Sequence, residues 1–217
     1  MIFPKETEFN NKFPKERFYE NLDIPNKIKE RFKKEISAIY LKNKLSNDTL
    51  HIKGTKNIEE IFVFYIKLKE DIYFERIEDL LLLIDRAIPY PVLYEFSLED
   101  KIIYKIAHKE RSKNNENESV VDVYLTKEMD KVFEKDLRSL FNSLNLEILY
   151  EKLVKAIIGL KSKRPINILV QEYKNKKLLE TDIIILEKKI KLEKQPDRQF
   201  ELLNKLGLKK KELKRLQ

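Results

Sequence analysis

Apolar side chains recur along this chain in two different periods, and the changes of period predict its elements. Residues 2–25 carry Pro4, Pro14 and Pro25 among scattered polar positions. That spacing predicts an extended arm with one short helix at 15–21, because each proline disfavours helix in the residue before it. From Asn26 the apolar positions Ile28, Phe32, Ile36, Ile39, Tyr40 and Leu41 return mostly at three- and four-residue steps. This predicts an amphipathic helix running to about Lys44 and broken by Ser46, Asn47 and Asp48. The period then shortens. Ile61, Phe62, Val63, Phe64, Tyr65 and Ile66 form an aromatic and β-branched run between polar segments, which reads as a buried strand. Ile77, Leu80, Leu81, Ile84 and Ile88 mark a second helix that begins near Asp71 and is stopped by Pro89 and Pro91. Residues 92–96 and 102–106 read as strands, and the five residues 97–101 between them suit an antiparallel hairpin. A polar tip at 112–119 precedes another strand at 120–125.

Beyond Thr126 the helical period returns. Leu146, Ile148, Leu149, Leu153, Ile157, Ile158 and Leu160 predict a strongly apolar helix, with Asn145 as N-cap and Gly159 near its end. After Pro165 a long helix is predicted over 166–194, with Leu179, Ile183, Leu186 and Ile190 in steps of four and three. Pro196 interrupts it. Leu202, Leu206, Leu213 and Leu216 then resume the spacing, with Lys209 filling one seam position. Two such helices around Gln195, Pro196 and Asp197 predict an antiparallel helical hairpin or coiled coil. No repeat of about 20–50 residues occurs, which argues against a solenoid. The predicted fold class is therefore α+β. An N-terminal helix and a mostly antiparallel sheet with one packed helix occupy residues 1–145, and a basic helical hairpin or coiled coil occupies 146–217.

Charge divides along the same line. The 217 residues hold 45 Lys and Arg against 37 Asp and Glu, a formal net charge of +8. Residues 1–150 carry 26 basic and 28 acidic side chains, whereas 151–217 carry 19 and 9, a net of +10. A cationic segment beside a near-neutral body makes a local field that nucleic acid, an anionic protein surface or an acidic helix would answer. A lysine-rich solvated helix is the plain structural alternative. The cations placed to follow a phosphate backbone are Lys161, Lys163 and Arg164; Lys174, Lys176 and Lys177; Lys188, Lys189 and Lys191; and Lys209, Lys210, Lys211, Lys214 and Arg215. Such a ladder binds with strong salt dependence and without sequence preference. No helix carries Arg, Asn and Gln arranged as a recognition set for base edges.

Composition removes whole classes of chemistry. Without Cys there is no disulfide framework, thiolate zinc site, iron–sulfur cluster or cysteine nucleophile. Only His51 and His108 are present, so the paired histidines of a zincin are missing. The three glycines, at 54, 159 and 207, are isolated, which excludes Gly-rich phosphate loops and dinucleotide fingerprints. No G-x-S-x-G elbow occurs. No cofactor is expected. No run of about 18 uncharged apolar residues is present, and the first residues lack a basic segment followed by an apolar run. The expectation is a cytoplasmic protein without a membrane segment.

One constellation admits catalysis. Asp85 and Glu95 with Lys105, or Asp85 with Glu99, Asp100 and Lys101, supply the carboxylates and lysine that a Mg²⁺-dependent nuclease gathers. Against the first set, Glu95 and Lys105 fall on facing strands and can pair across them structurally, and Asp85 can pair with Arg86. The second set falls in the predicted hairpin turn. The aromatics Phe62, Phe64, Tyr65, Tyr90, Tyr94, Phe96, Tyr104 and Tyr124 lie on or beside strands. Such a placement serves base stacking on an exposed sheet or, in a chain without Trp, core volume. The alternation of Phe62 with Phe64 and of Tyr94 with Phe96 favours the core.

Several phrases together resemble one family. Pro4-Lys-Glu-Thr-Glu-Phe-Asn10, Pro14-Lys-Glu-Arg-Phe-Tyr19, Tyr40-Leu-Lys-Asn-Lys-Leu45, Ile84-Asp-Arg-Ala-Ile-Pro-Tyr-Pro-Val92 and Gln199-Phe-Glu-Leu-Leu-Asn-Lys-Leu206 resemble the bacterial family catalogued as domain of unknown function 4391. The likeness is spread over nearly the whole chain. Members of that family tend to be encoded beside helicases and DNA methyltransferases in restriction or phage-defence loci. The resemblance therefore implies association with a DNA-acting complex and carries over no catalytic residue. The expectation is a non-catalytic accessory protein whose body docks on a helicase or DNA methyltransferase subunit. Its basic helices would contact DNA without sequence preference or join copies into a homo-oligomer. The alternatives are a Mg²⁺-dependent nuclease using Asp85, Glu95 and Lys105, and a coiled-coil scaffold without nucleic-acid affinity.

Overall fold

Six strands lie side by side in chain order: β1 (Glu8–Phe13), β2 (Ile36–Ser46), β3 (Glu60–Leu68), β4 (Val92–Leu98), β5 (Lys101–Arg111) and β6 (Ser119–Glu128). The computed structural model describes residues 2–18, 24–69, 74–111, 119–159 and 162–216. These divide into two compact units, Met1–Ser162 and Lys163–Gln217. In the first unit helices α1 (Asn26–Glu35), α2 (Asn47–Leu50) and α3 (Glu78–Ala87) punctuate the strands. All neighbouring strands pair antiparallel except β3 and β4, which run parallel because α3 carries the chain back between them. The α+β class and the mostly antiparallel sheet agree with the sequence reading.

The two faces of the sheet bury different helices. One face packs Phe64, Tyr94, Phe96 and Tyr124 against Phe32 of α1 and Leu80, Leu81 and Ile84 of α3. The other receives α4 (Lys131–Ser139) and α5 (Leu146–Ile158), which bury Phe133, Leu137, Leu149, Leu153 and Ile157. Asp130 caps α4 by accepting the Phe133 N–H at 2.7 Å, and Asn145 caps α5 by accepting the Ile148 N–H at 2.9 Å. Gly159 ends α5 at φ 80°, a left-handed conformation that a glycine reaches without a Cβ penalty.

Four sequence expectations are corrected here. The N-terminal arm is an edge strand: β1 pairs with β2 between Pro4 and Pro14, so neither proline removes a ladder N–H. The predicted helix at 15–21 is a 3₁₀ turn at Lys15–Phe18, and residues 19–21 lie outside the described residues. The helix predicted from 26 to 44 stops at Glu35. Ile36 and Ile39 are completely buried, and β2 is gripped by β1 on one side and β3 on the other, so tertiary pairing overrides the three–four spacing. The hairpin between β4 and β5 is also tighter than expected. It turns on Glu99 and Asp100 alone, with Glu99 at φ 50°. The start expected near Asp71 for α3, and most of the polar tip at 112–119, lie outside the described residues.

The unit boundary falls after Ser162, where the sequence reading drew it at 145. The reason is α5, whose apolar face packs on the sheet. The second unit holds α6 (Ile166–Leu192) and α7 (Pro196–Arg215), the predicted antiparallel hairpin. Leu179 and Ile183 are buried in its seam, while Leu202, Leu206 and Leu213 are half-buried and Leu216 is exposed beyond it. No residue of α7 is fully buried. Among the described residues no helix is long and apolar enough to cross a membrane.

Candidate nucleic-acid interface

Asp85, Glu95 and Lys105 are not brought together. In the β4–β5 ladder Lys105 stands opposite Tyr94, and Glu95 stands opposite Tyr104. Adjacent strand residues point to opposite faces, so Glu95 and Lys105 project from opposite sides of the sheet and the expected cross-strand pair does not form. Each residue has other partners. Lys105 Nζ donates to Glu78 at 2.6 Å and to Thr126 at 2.8 Å. Glu95 pairs with Lys42 and accepts the Tyr104 hydroxyl at 2.6 Å. Asp85 pairs with Lys109 rather than Arg86. The turn residue Lys101 pairs with Glu128 at 3.0 Å. Among the described residues no group of three metal-ligating side chains is placed to hold an ion.

Asp85 instead belongs to a buried pin. Its Oδ1 lies 3.1 Å from Lys109 Nζ, and its Oδ2 accepts the Tyr124 hydroxyl at 2.6 Å. Burial pushes the Asp85 carboxyl above its ordinary value, against the opposing pull of Lys109 and Tyr124. Burial likewise lowers the Lys109 ammonium, with Asp85 opposing. Lys109 also donates to the carbonyls of Asp85, Ile88 and Tyr90 at 3.2, 2.8 and 3.0 Å. A cation from β5 thus closes the C-terminal end of α3 and fastens the turn carrying Pro89 and Pro91. The sequence reading had no role for Lys109, because nothing local marks a partner some two dozen residues away.

The hairpin presents a different kind of charge. Residues 163–217 carry 16 basic and 8 acidic side chains, while 1–162 carry 29 of each, so the whole net charge of +8 sits on this unit. Lys209 pairs with Asp182 at 2.6 Å, Lys210 with Glu187 at 2.7 Å and Arg164 with Glu172; Lys177 lies over the Tyr173 ring. Lys174 lies half-buried on α6. Lys163, Lys176, Lys188, Lys189, Lys191, Lys211, Lys214 and Arg215 form no ion pair among the described residues. Lys161 lies outside the described residues. At the rise of a helix, the cations from Lys174 to Lys191 span roughly 25 Å.

A further arrangement crosses the sheet. Lys12, Tyr40, Tyr65, Glu95, Tyr104 and Lys127 stand directly opposite one another in successive ladders, one from each strand, and therefore share one face. Phe133 of α4 covers the Tyr104 end, ring edge to ring at 5.7 Å. Toward β1 the row is open. Tyr40 and Tyr65 are half-buried with ring centroids 6.1 Å apart. Beside them is a recess of about 430 Å³ lined by Asn10, Tyr40, Lys42, Tyr65, Lys67 and Glu95. Lys42 is the extra residue of a bulge between Leu41 and Asn43, and its ammonium meets Glu95 at 2.5 Å. Tyr94 and Phe96 are core, as their alternation implies, and so are Tyr104 and Tyr124, but Tyr65 faces this recess.

No curated protein and no solved structure matches the chain. The profile of one family matches residues 1–213, covering the sheet, the buried pin and nearly all of the hairpin, and the chain belongs to that family, Domain of unknown function (DUF4391).

Proposed function

We infer that this protein is a non-catalytic accessory factor that holds nucleic acid along its cationic hairpin. The observation that carries the reading is the placement of charge: the body is neutral, and the entire +8 lies on residues 163–217, the helical hairpin and the segment leading into it, where most lysines are exposed. The hairpin ion pairs named above are exposed or only partly buried, and such pairs open readily to a competing phosphate. Asp85 and Glu95, each already paired with a lysine and accepting a tyrosine hydroxyl, favour a binding role over Mg²⁺-dependent hydrolysis. The partner class is a helicase or DNA methyltransferase subunit of a restriction or phage-defence complex, a proposal supported by the family resemblance.

The test is the salt dependence of duplex binding by the full chain and by a variant carrying Lys188→Glu, Lys191→Glu, Lys211→Glu and Lys214→Glu. The wild type should lose affinity steeply with salt. The variant should bind more weakly, with a slope of log K against log salt shallower by about 0.9 for each phosphate it no longer neutralises. Equal affinity and equal slope would remove the hairpin from the interface. Mg²⁺-dependent cutting that disappears in Asp85→Ala would replace this reading with a nuclease.

A further inference from the structure

We propose that the open end of the cross-strand row is a second nucleic-acid site, selective for single strands: bases stack on Tyr40 and Tyr65, while Lys12 and Lys67 hold the backbone at the rim. Three observations converge on this site. The first is the register itself, which places two tyrosines side by side on a face that helix packing leaves open at this end. An open sheet face is ordinarily polar, and adjacent half-exposed aromatic rings are the platform on which unpaired bases stack.

The second is the distribution of charge. Lys12 and Lys67 are exposed at the edge of the row, and Lys42 and Glu95 face each other on its floor. A phosphate driven onto the floor meets the Glu95 carboxylate. A neutral base meets no such repulsion, and its exocyclic amino or ring imino N–H groups are donors to that carboxylate, which retains acceptor capacity beside Lys42 and Tyr104. Floor and rim therefore sort base from backbone. The third is the backbone. Register shifts interrupt β1 between Glu8 and Asn11 and β2 between Leu41 and Asn43, two of the four strands that line the recess, and Asn10 sits at φ 49°. Bulges re-aim side chains, and the second one directs Lys42 across β3 to Glu95. A duplex keeps its base faces stacked on one another, so it has nothing to offer the tyrosines.

The site is independent of the hairpin, and the experiment separates the two. Full-length protein is titrated with a fluorescein-labelled oligothymidylate and with a duplex of equal length at the same salt. The double variants Tyr40→Leu/Tyr65→Leu and Tyr40→Phe/Tyr65→Phe and the rim variant Lys67→Glu are compared with the wild type, after circular dichroism has established that each is folded. The wild type should bind the single strand more tightly and lose tyrosine emission on binding, a signal readable because the chain has no Trp. The leucine variant should lose roughly tenfold in single-strand affinity for each ring, with the quenching, and keep its duplex affinity. The phenylalanine variant should retain single-strand affinity, and Lys67→Glu should weaken it. A leucine variant that binds single strands like the wild type overturns the proposal, as does an equal loss on both ligands or a wild type without single-strand preference. If the hairpin reading alone fails, duplex binding is absent while the tyrosine dependence of single-strand binding remains.

Discussion

In the body, Lys109 meets Asp85 at 3.1 Å with 7% and 0% of the two side chains exposed; in the hairpin, Lys209 meets Asp182 at 2.6 Å with 36% and 35% exposed. The shorter contact is the less consequential one. Around Asp85 neither partner can exchange its counter-charge for water, and removing one strands the other in a low-dielectric interior. Around Asp182, water and salt stand in for either partner at little cost. The body thus spends its paired charges on holding α3 and its proline turn in place. The hairpin carries pairs that loosen easily and several lysines that form no ion pair among the described residues. Distance does not separate structural charges from available ones in this molecule; burial does.

The largest expected effect follows from the buried pair. Asp85→Asn should destabilise the body by about 3–5 kcal/mol, because it leaves the Lys109 ammonium buried beside a neutral amide. The double variant Asp85→Asn/Lys109→Met should recover part of that loss, since no uncompensated charge remains. Urea unfolding with an unchanged m value measures both. If Asp85→Asn costs no more than a surface substitution, the contrast between the two units is broken.

The same long-range pairing explains what could be read from sequence. Strands β3 to β6 and helices α3, α5, α6 and α7 are each marked by their own apolar period, and Pro91, Pro89, Asn145, Gly159, Pro165 and Pro196 mark ends of several of them, so one-dimensional spacing suffices for their existence. β2 fails that test. Ile36, Ile39 and Tyr40 satisfy a helical spacing, yet neighbours on both sides bury the strand, and the deciding interactions come from residues 8–13 and 60–68. Candidate sites divide in the same way. The charge of the hairpin is a local property and was legible, including Lys209 in the seam. The Asp85–Lys109 pin and the row through Tyr40, Tyr65 and Glu95 depend on register across separate strands, which no spacing within one strand discloses. That is also why the trio with Lys105 looked plausible: a register one residue different would have put Glu95 and Lys105 on the same face.

Helix starts sharpen the contrast at intermediate size. In the body α4 and α5 begin with side-chain caps from Asp130 and Asn145, whereas α6 and α7 begin at Pro165 and Gln195 without a capping hydrogen bond. Asn145→Ala should cost about 1 kcal/mol at any pH where the body is folded. Asp130→Ala should behave differently. The Phe133 N–H, followed by Lys127, holds the Asp130 carboxyl below its ordinary value of 3.8. Its folded pKa is depressed, so its stabilisation is complete above the unfolded value and is lost as pH falls through the folded one. Thermal melts of wild type and Asp130→Ala should therefore differ at neutral pH and converge on acidification below 3.8. A pH-independent difference would mean that the cap acts through shape alone.

The smallest effect is expected where the hairpin is most charged. Lys210 and Glu187 are about half exposed, and Lys210 holds the Glu187 carboxyl below its ordinary value. The pair is well formed, but water solvates both groups in either state, and ordering two long side chains opposes the attraction. Lys210→Gln should leave the melting midpoint of the full chain where it was, while lowering duplex affinity at low salt by the share of one neutralised phosphate. A stability loss as large as that of Asn145→Ala would show that this lysine is committed to the hairpin's own structure. It would then be unavailable to a phosphate, and the hairpin would resemble the body in how it uses charge.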